Sequence, residues 1–289
     1  MKIQDVVFLQ GGLGNQMFQY AFYLSLLEHK PNAVCDKTLL ERNIQHNGYE
    51  LQNLFSIQVP SSFCLNRILR ILLLASHFPF LLTLLSKVFG IRLASDYIAS
   101  ASAANYFTLD KKCFYFGYWQ SEKYFKNLQL SQVYKFKEEL ISTSTREMKN
   151  RIQLTNSISI HIRRGDYLTP ENYKLYGGIC DLSYYQKAIS FMKQHTQDPV
   201  FYVFSNDVDW VKSNFKSESF VFVDINSGKD SWQDMYLMSL CKHNIIANST
   251  FSWWGAWLNS NPDKLVVSPS KFQNIEVKSE IVPDSWHKI

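Results

Sequence analysis

The 289-residue sequence predicts an α/β protein with parallel sheets, and three observations carry that expectation. Short β-branched and aromatic runs recur at 6–9, 113–116, 157–162, 200–204, 220–223, 245–247 and 265–267. Helix-length stretches separate many of them, and strands that alternate with helices pack as parallel sheets. Several runs end in a glycine-rich or polar turn, and in open α/β sheets ligands bind beyond the carboxyl ends of the strands.

Length and composition set the frame. The chain suits two domains, and 46% hydrophobic with 15% aromatic residues is ample for two cores. Thr155-Asn156 is the expected boundary, giving domains 1–154 and 155–289. The net charge of +5 is spread without a Lys/Arg block, which excludes a nucleic-acid arm and fits a small anionic substrate or an anionic lipid surface. Five scattered cysteines (Cys35, Cys64, Cys113, Cys180, Cys241) without a CxxC pair argue against a disulfide framework or zinc cluster and for a reducing compartment. The apolar run after Met1-Lys2 meets Gly11 too soon for a secretory signal. The expectation is a cytoplasmic protein.

In chain order, Val6-Val7-Phe8-Leu9 reads as a buried strand feeding Gly11-Gly12-Leu13-Gly14-Asn15-Gln16. Met17, Tyr20, Ala21, Leu24 and Leu27 then recur at helical spacing until Pro31. The glycines, Gly12 and Gly14 among them, let a ligand approach backbone N–H groups; a plain tight turn explains them equally well. Asn15 and Gln16 read as amides aimed from that turn. From Arg67 to Arg92 an apolar stretch is interrupted by Arg70, His77 and Pro79, too broken for a ~20-residue membrane span. It reads as a helical hairpin, either a buried pair, which is preferred, or a basic-flanked contact with the membrane's inner face.

Cys113–Phe116 reads as a strand leading to Gly117-Tyr118-Trp119-Gln120-Ser121-Glu122-Lys123-Tyr124-Phe125, an aromatic sugar-binding wall or a core corner. Lys135–Asn150 reads as a polar helix. In Ser157–Tyr167, isoleucines 158, 160 and 162 alternate with Ser159, His161 and Arg163, the period of a strand. Gly165 permits a sharp exit, leaving His161 and Arg163 near the strand's carboxyl end. A guanidinium there suits an anionic ligand; a surface ion pair with Asp166 is the bland alternative. Val200–Phe204 ends at Ser205-Asn206-Asp207, where Asp207 caps a helix from Val208. Asp207-Val208-Asp209 also spells a metal-binding D-x-D, for which capping is the preferred explanation. Ser231-Trp232-Gln233-Asp234 has the capping-box pattern. Asn248-Ser249-Thr250-Phe251-Ser252 crowds three hydroxyls and an amide where a strand meets a helix. Helix N-termini favour anions, so this turn reads as a phosphate site, against simple capping by one hydroxyl. Of Trp253, Trp254 and Trp257, at least two belong to the core.

The runs Gly11–Ala21, Gly117–Phe125, His161–Tyr167 and Asn248–Ala256 together resemble the alpha-1,2-fucosyltransferases of glycosyltransferase family 11; residues 30–110 carry little of the likeness. The resemblance implies a GT-B fold, two Rossmann-like domains facing a cleft, with the acceptor on the N-terminal side and the nucleotide on the C-terminal side. It implies inverting, metal-independent transfer of fucose from GDP-L-fucose to the 2-hydroxyl of a terminal galactose on an oligosaccharide or lipid-linked glycan, with no cofactor besides that donor. By the same resemblance Arg163 binds the diphosphate and assists its departure, and His161 lies beside the nucleotide. Asn206 or Asp207 lies near the guanosine, and Asn248, Ser249, Thr250, Phe251 and Ser252 close on the phosphates. Asn15 reaches donor or acceptor. Asp166 is the candidate general base, with a structural bond to Arg164 as the competing explanation. Another linkage or acceptor, or a non-catalytic glycan-binding protein, is the alternative reading.

Overall fold

The computed structural model describes residues 4–42, 47–60, 91–94, 106–107, 112–275 and 280–289. The chain divides into two compact units, Met1–Lys135 and Phe136–Ile289. The division falls before the expected boundary at Thr155, and the segment between them packs into the second unit. Phe136 stacks on Trp232 (5.6 Å between centroids), and the Ser142 amide donates to Gln233 Oε1 at 2.8 Å. The polar stretch there is not one helix either: a 3-10 turn, Glu138–Leu140, precedes a helix beginning at Thr143 and capped by Ser142.

Among the described residues the first unit holds a four-stranded parallel sheet of β1 (Val6–Phe8), β2 (Val34–Asp36), β3 (Ile91–Ala94) and β4 (Lys112–Tyr115), in the order β2-β1-β4-β3. Its helices among the described residues are α1 (Leu13–His29), α2 (Thr38–Arg42), α3 (Leu51–Phe55) and α4 (Leu130–Val133). Arg92, read as a hairpin flank, lies within β3; residues 67–90 of that expected hairpin fall outside the described residues. β1 and α1 are apolar wherever they meet: Val6, Val7, Phe8, Met17, Phe18, Ala21 and Phe22 are all fully buried. Trp119 is buried as well, stacked on Phe22 at 4.1 Å. The Gly117–Phe125 corner is therefore core at its centre rather than an exposed sugar wall.

The second unit holds six parallel strands: β5 (Asn156–Ile162), β6 (Pro199–Ser205), β7 (Phe220–Val223), β8 (His243–Ile245), β9 (Val266–Ser268) and β10 (His287–Lys288). Their order is β10-β9-β8-β5-β6-β7. Chain order runs outward from β5 through β6 and β7, then restarts at β8 on the other side, which is the doubly wound nucleotide-binding order. The helices are α5 (Thr143–Gln153), α6 (Pro170–Tyr176), α7 (Leu182–His195), α8 (Val208–Asn214), α9 (Trp232–Leu240) and α10 (Thr250–Trp257). Ile158, Ile160 and Ile162 bury one face of β5 against Tyr184, Tyr185, Ala188 and Met192 of α7. The other face carries Ser157, Ser159 and His161, yet these too are buried, because a parallel sheet is covered on both sides. Trp253 and Trp254 are fully buried, as expected of two of the three tryptophans. The short strand β10 had no counterpart in the sequence pattern.

Among the described residues no helix is long and apolar enough to cross a membrane, and Cys35, Cys113, Cys180 and Cys241 are free thiols.

Candidate active site

In a doubly wound sheet the strand order reverses at one gap, and loops leaving the two flanking strands splay apart to make a crevice. Here that gap lies between β5 and β8. The pairing of Ile160 with Ile245 brings the Arg163 loop and the Asn248 loop out side by side, while that of His161 with Phe204 brings Arg164 level with Asp207. Two of the polar motifs read from the sequence thus meet at one edge. Tyr167 ties them, its hydroxyl donating to the Asn248 carbonyl at 3.1 Å, and the His161 ring stands 5.8 Å from that of Phe251.

Arg163 is three-quarters buried along its side chain and keeps its head at the edge. Its Nη2 lies 2.8 and 2.9 Å from Asp166 Oδ1 and Oδ2, with Oδ2 accepting the hydrogen bond, and its guanidinium sits 5.6 Å from the centre of the Tyr167 ring. Asp166 thus bonds Arg163, not Arg164. Arg164 turns the other way: Nε donates to Asp207 Oδ2 at 2.9 Å, the guanidinium lies 3.9 Å over the Trp210 ring, and its amide donates to Asn206 Oδ1 at 2.9 Å. Asp207 also receives the Trp210 amide as the α8 cap. Asn206 and Asp207 are therefore engaged in holding the loop, and the D-x-D carboxylate is occupied by a cation and a helix end. Gly165 is needed for this turn. Its φ is +40°, and an added Cβ would collide with Asn206 Nδ2.

His161 is 5% exposed. Burial, reinforced by the Arg163 charge, pulls its pKa down to about 3, so the ring is neutral near pH 7. Its Nδ1 is buried with no hydrogen-bond partner among the described residues, an uncommon state for a buried ring nitrogen.

The second loop is a helix start. Ser249 caps α10, its Oγ accepting the Phe251 amide at 3.3 Å, and the first i−4 bond runs from the Trp253 amide to the Ser249 carbonyl. The Thr250 and Ser252 amides precede that bond and are first-turn donors. Ser252 is fully buried, its hydroxyl donating to the Ser249 carbonyl. Asn248 reaches backward instead, its Nδ2 donating to the carbonyls of Tyr176 and Phe272, both at 3.1 Å. It shapes the turn. At the far end of α10, Lys264 Nζ donates to the carbonyls of Ala256, Trp257 and Asn259, so charge complements the helix dipole there.

The first unit has its own crossover gap, between β1 and β4. The Gly11–Gln16 turn meets the Gly117–Phe125 corner there: Gln120 Nε2 donates to Asn15 Oδ1 at 2.9 Å, and Gln19 Nε2 to the Gly117 carbonyl at 2.9 Å. Helix α1 begins at Leu13 with Gly12 as its N-cap, so Asn15 and Gln16 lie in its first turn and Gly14 is buried within it. Gln16 is not aimed at a ligand. It is fully buried, donates to the carbonyls of Gly11 and Gly48 and accepts the Glu50 amide. At the glycine turn the Glu50 carboxylate already engages the Leu13 backbone N–H.

Two carboxyls held above the usual carboxylate range lie outside the candidate motifs. Glu50 is raised above its usual range by burial. Asp234, which the capping-box pattern assigned to the start of α9, accepts from Asn226 Nδ2 at 2.8 Å, and burial lifts it to about 7. Ser231 makes no side-chain cap bond there. Neither carboxyl has a local sequence signature, because its burial comes from distant segments.

Comparison with known proteins agrees with the motifs. Residues 91–289 match the model of Glycosyl transferase family 11. The O-antigen biosynthesis glycosyltransferase WbnK of Escherichia coli is 33% identical over 96% of this chain and 98% of its own. An alpha-1,2-colitosyltransferase of the same species is 33% identical over 97% of each. Human galactoside alpha-(1,2)-fucosyltransferase 1 is 32% identical over 105 residues, 35% of this chain and 28% of its own. With four ordered motifs gathered at two crossover gaps and relatives matched nearly end to end, the chain belongs to glycosyl transferase family 11.

Proposed function

We propose that the protein is a galactoside alpha-1,2-fucosyltransferase that uses GDP-L-fucose and inverts the anomeric centre. The observation that carries this reading is the pairing, at the crossover gap of the six-stranded sheet, of the Arg163 guanidinium with the first turn of α10. A departing diphosphate accumulates negative charge. A guanidinium fork and two helix-start amides, those of Thr250 and Ser252, supply preorganised donors for it, a form of transition-state stabilisation that needs no metal. Asp166 holds Arg163 in place. His161, kept neutral, adds hydrogen-bonding capacity without repelling the guanidinium. Asn15, with Oδ1 already receiving Gln120, has its amide N–H groups to offer a sugar hydroxyl of donor or acceptor.

The colitosyltransferase relative favours a second reading that differs only in the sugar. Colitose is fucose without its 3-hydroxyl, so the same diphosphate machinery serves both. Incubation with GDP-fucose or GDP-colitose and lactose in excess EDTA, followed by linkage determination, tests both readings. A 2-O-fucosyl product supports the first. Transfer from GDP-colitose alone supports the second, and GDP binding without transfer from either donor overturns both. A cytosolic setting is part of this reading, and four scattered thiols free among the described residues support it. Contact of residues 67–92 with a membrane carrying a lipid-linked acceptor is tested by vesicle flotation with and without Arg67, Arg70 and Lys87.

A further inference from the structure

Among the described residues every aromatic side chain is buried or half-buried except that of Tyr173, which is 52% exposed. It stands on α6, in the connection that begins with the Arg163 loop and carries the chain from β5 to α7. A lone exposed ring needs no explanation; what sets Tyr173 apart is how it is held. A Cβ added at Gly177 would fall 2.3, 2.5 and 2.6 Å from its Cδ2, Cγ and Cε2. Three nearly equal distances place Gly177 over the face of the ring, since an approach along the ring plane would bring Cδ2 much closer than its two neighbours. Only a residue without a side chain permits that contact. Gly178 continues the pad towards the hydroxyl, where an added Cβ would lie 3.9 Å from Tyr173 Oη.

The pad itself is fixed. The carbonyls of Leu175, Tyr176 and Gly177 accept in turn from the Asn274 amide at 2.8 Å, Asn248 Nδ2 at 3.1 Å and Asn274 Nδ2 at 2.9 Å. The Gly177 amide donates to the Tyr173 carbonyl at 2.8 Å. At the other end of α6 the Asp166 carbonyl accepts from Asn172 Nδ2 at 2.9 Å and Thr169 Oγ1 at 3.1 Å, and Tyr176 stacks on Tyr167 with centroids 4.8 Å apart. One side of the Tyr173 ring thus lies on backbone locked to both loops of the β5–β8 gap, and its exposure belongs to the opposite side.

We infer that Tyr173 is the stacking platform for a sugar of the acceptor glycan, the one joined to the galactose that reacts. This rests on the transferase reading above and uses the second unit alone. A pyranose presents a face of C–H groups rimmed by hydroxyls; the C–H groups suit the negative face of an aromatic ring, and the hydroxyls stay in water. A ring already held in place loses little freedom when the sugar arrives. The exposed face is one ring wide, the footprint of a single sugar and far below what a protein partner needs. Its place fits the second sugar rather than the first. Two successive contacts, Arg163 to Asp166 and Asp166 to Asn172, separate the diphosphate grip from the residue beside Tyr173, and the transferred sugar and the galactose take up that interval.

Initial rates with lactose and with methyl β-galactoside test the assignment, using whichever of GDP-fucose and GDP-colitose the enzyme accepts. Lactose carries the second sugar and the methyl glycoside does not, so the wild-type KM is lower for lactose by about tenfold. Tyr173→Ala raises the lactose KM to that of the methyl glycoside. It leaves the KM for the methyl glycoside, kcat and GDP affinity within about twofold. Tyr173→Phe keeps the lactose advantage. Gly177→Ala loses it, because the new methyl displaces the ring although a φ of −71° suits alanine; should that variant not fold, the two Tyr173 variants decide. An unchanged lactose KM in Tyr173→Ala, an equal rise for both acceptors, a fall in GDP affinity, or a wild type indifferent to the second sugar overturns the assignment. A wild type that binds GDP yet transfers to neither acceptor overturns the transferase reading instead, and the platform with it.

Discussion

Arg163→Ala separates chemistry from folding, and the structure sets both magnitudes. The Arg163 side chain is 25% exposed and that of Asp166 41%, so the pair is solvent-screened and contributes at most about 1 kcal/mol. The Tyr167 ring, 5.6 Å from the guanidinium, adds roughly 0.5 kcal/mol at such a partly exposed site. Folding therefore loses no more than about 1.5 kcal/mol, or roughly 3–6 °C in Tm for a chain of this size. Turnover loses far more. Deleting one charged donor to a developing oxyanion costs about 3–4 kcal/mol, a fall of roughly 10²–10³ in kcat, and GDP binding weakens by about 10–100-fold. Differential scanning fluorimetry, GDP titration calorimetry and a GDP-release assay read the three quantities. A Tm drop beyond about 10 °C with kcat within tenfold of wild type would show that Arg163 is an ion-pairing residue of the fold, and the diphosphate reading would fail.

Gly165→Ala is expected to destabilise by about 1–2 kcal/mol, because φ is +40° and the new methyl displaces Asn206 from the Arg164 amide; unchanged melting and GDP affinity would contradict that turn geometry. His161 binds a proton in the unfolded chain below about pH 6.5 but in the folded protein only near pH 3. Its contribution is thus complete above the unfolded value and is lost as pH falls, by about 2 kcal/mol at pH 5. Urea titrations of His161→Asn should lack that slope between pH 7 and 5. Asp234 slopes the other way. With its pKa raised to about 7, the folded state holds a proton that the unfolded state releases near pH 4, so its contribution is present in acid and declines as pH rises through 7. Asp234→Asn, able to keep the Asn226 bond, is expected to gain in stability relative to wild type between pH 5 and 8, and a constant difference across that range would refute the buried-acid assignment.

Local pattern decided much of this protein. The alternation of Ile158, Ile160 and Ile162 is visible in the chain and becomes β5. The apolar run at Val6, the helix from Leu13 and the cap at Asp207 likewise depend on near neighbours, because propensity, period and capping act within a few residues. The motif residues Arg163 and Ser249–Ser252 were legible for the same reason. What the chain order could not reveal is which strands become neighbours. Only the reversal at β5 and β8 brings two motifs more than eighty residues apart to one edge. Tertiary packing likewise made His161 a buried neutral ring, turned Gln16 into a clamp, and sent Arg164 to Trp210 while Arg163 stayed at the edge. It also buried Glu50 against the start of α1 and divided the compact units after Lys135. Desolvation and partner choice depend on which surfaces meet across the sheet, a property of the assembled fold that no short window of sequence contains.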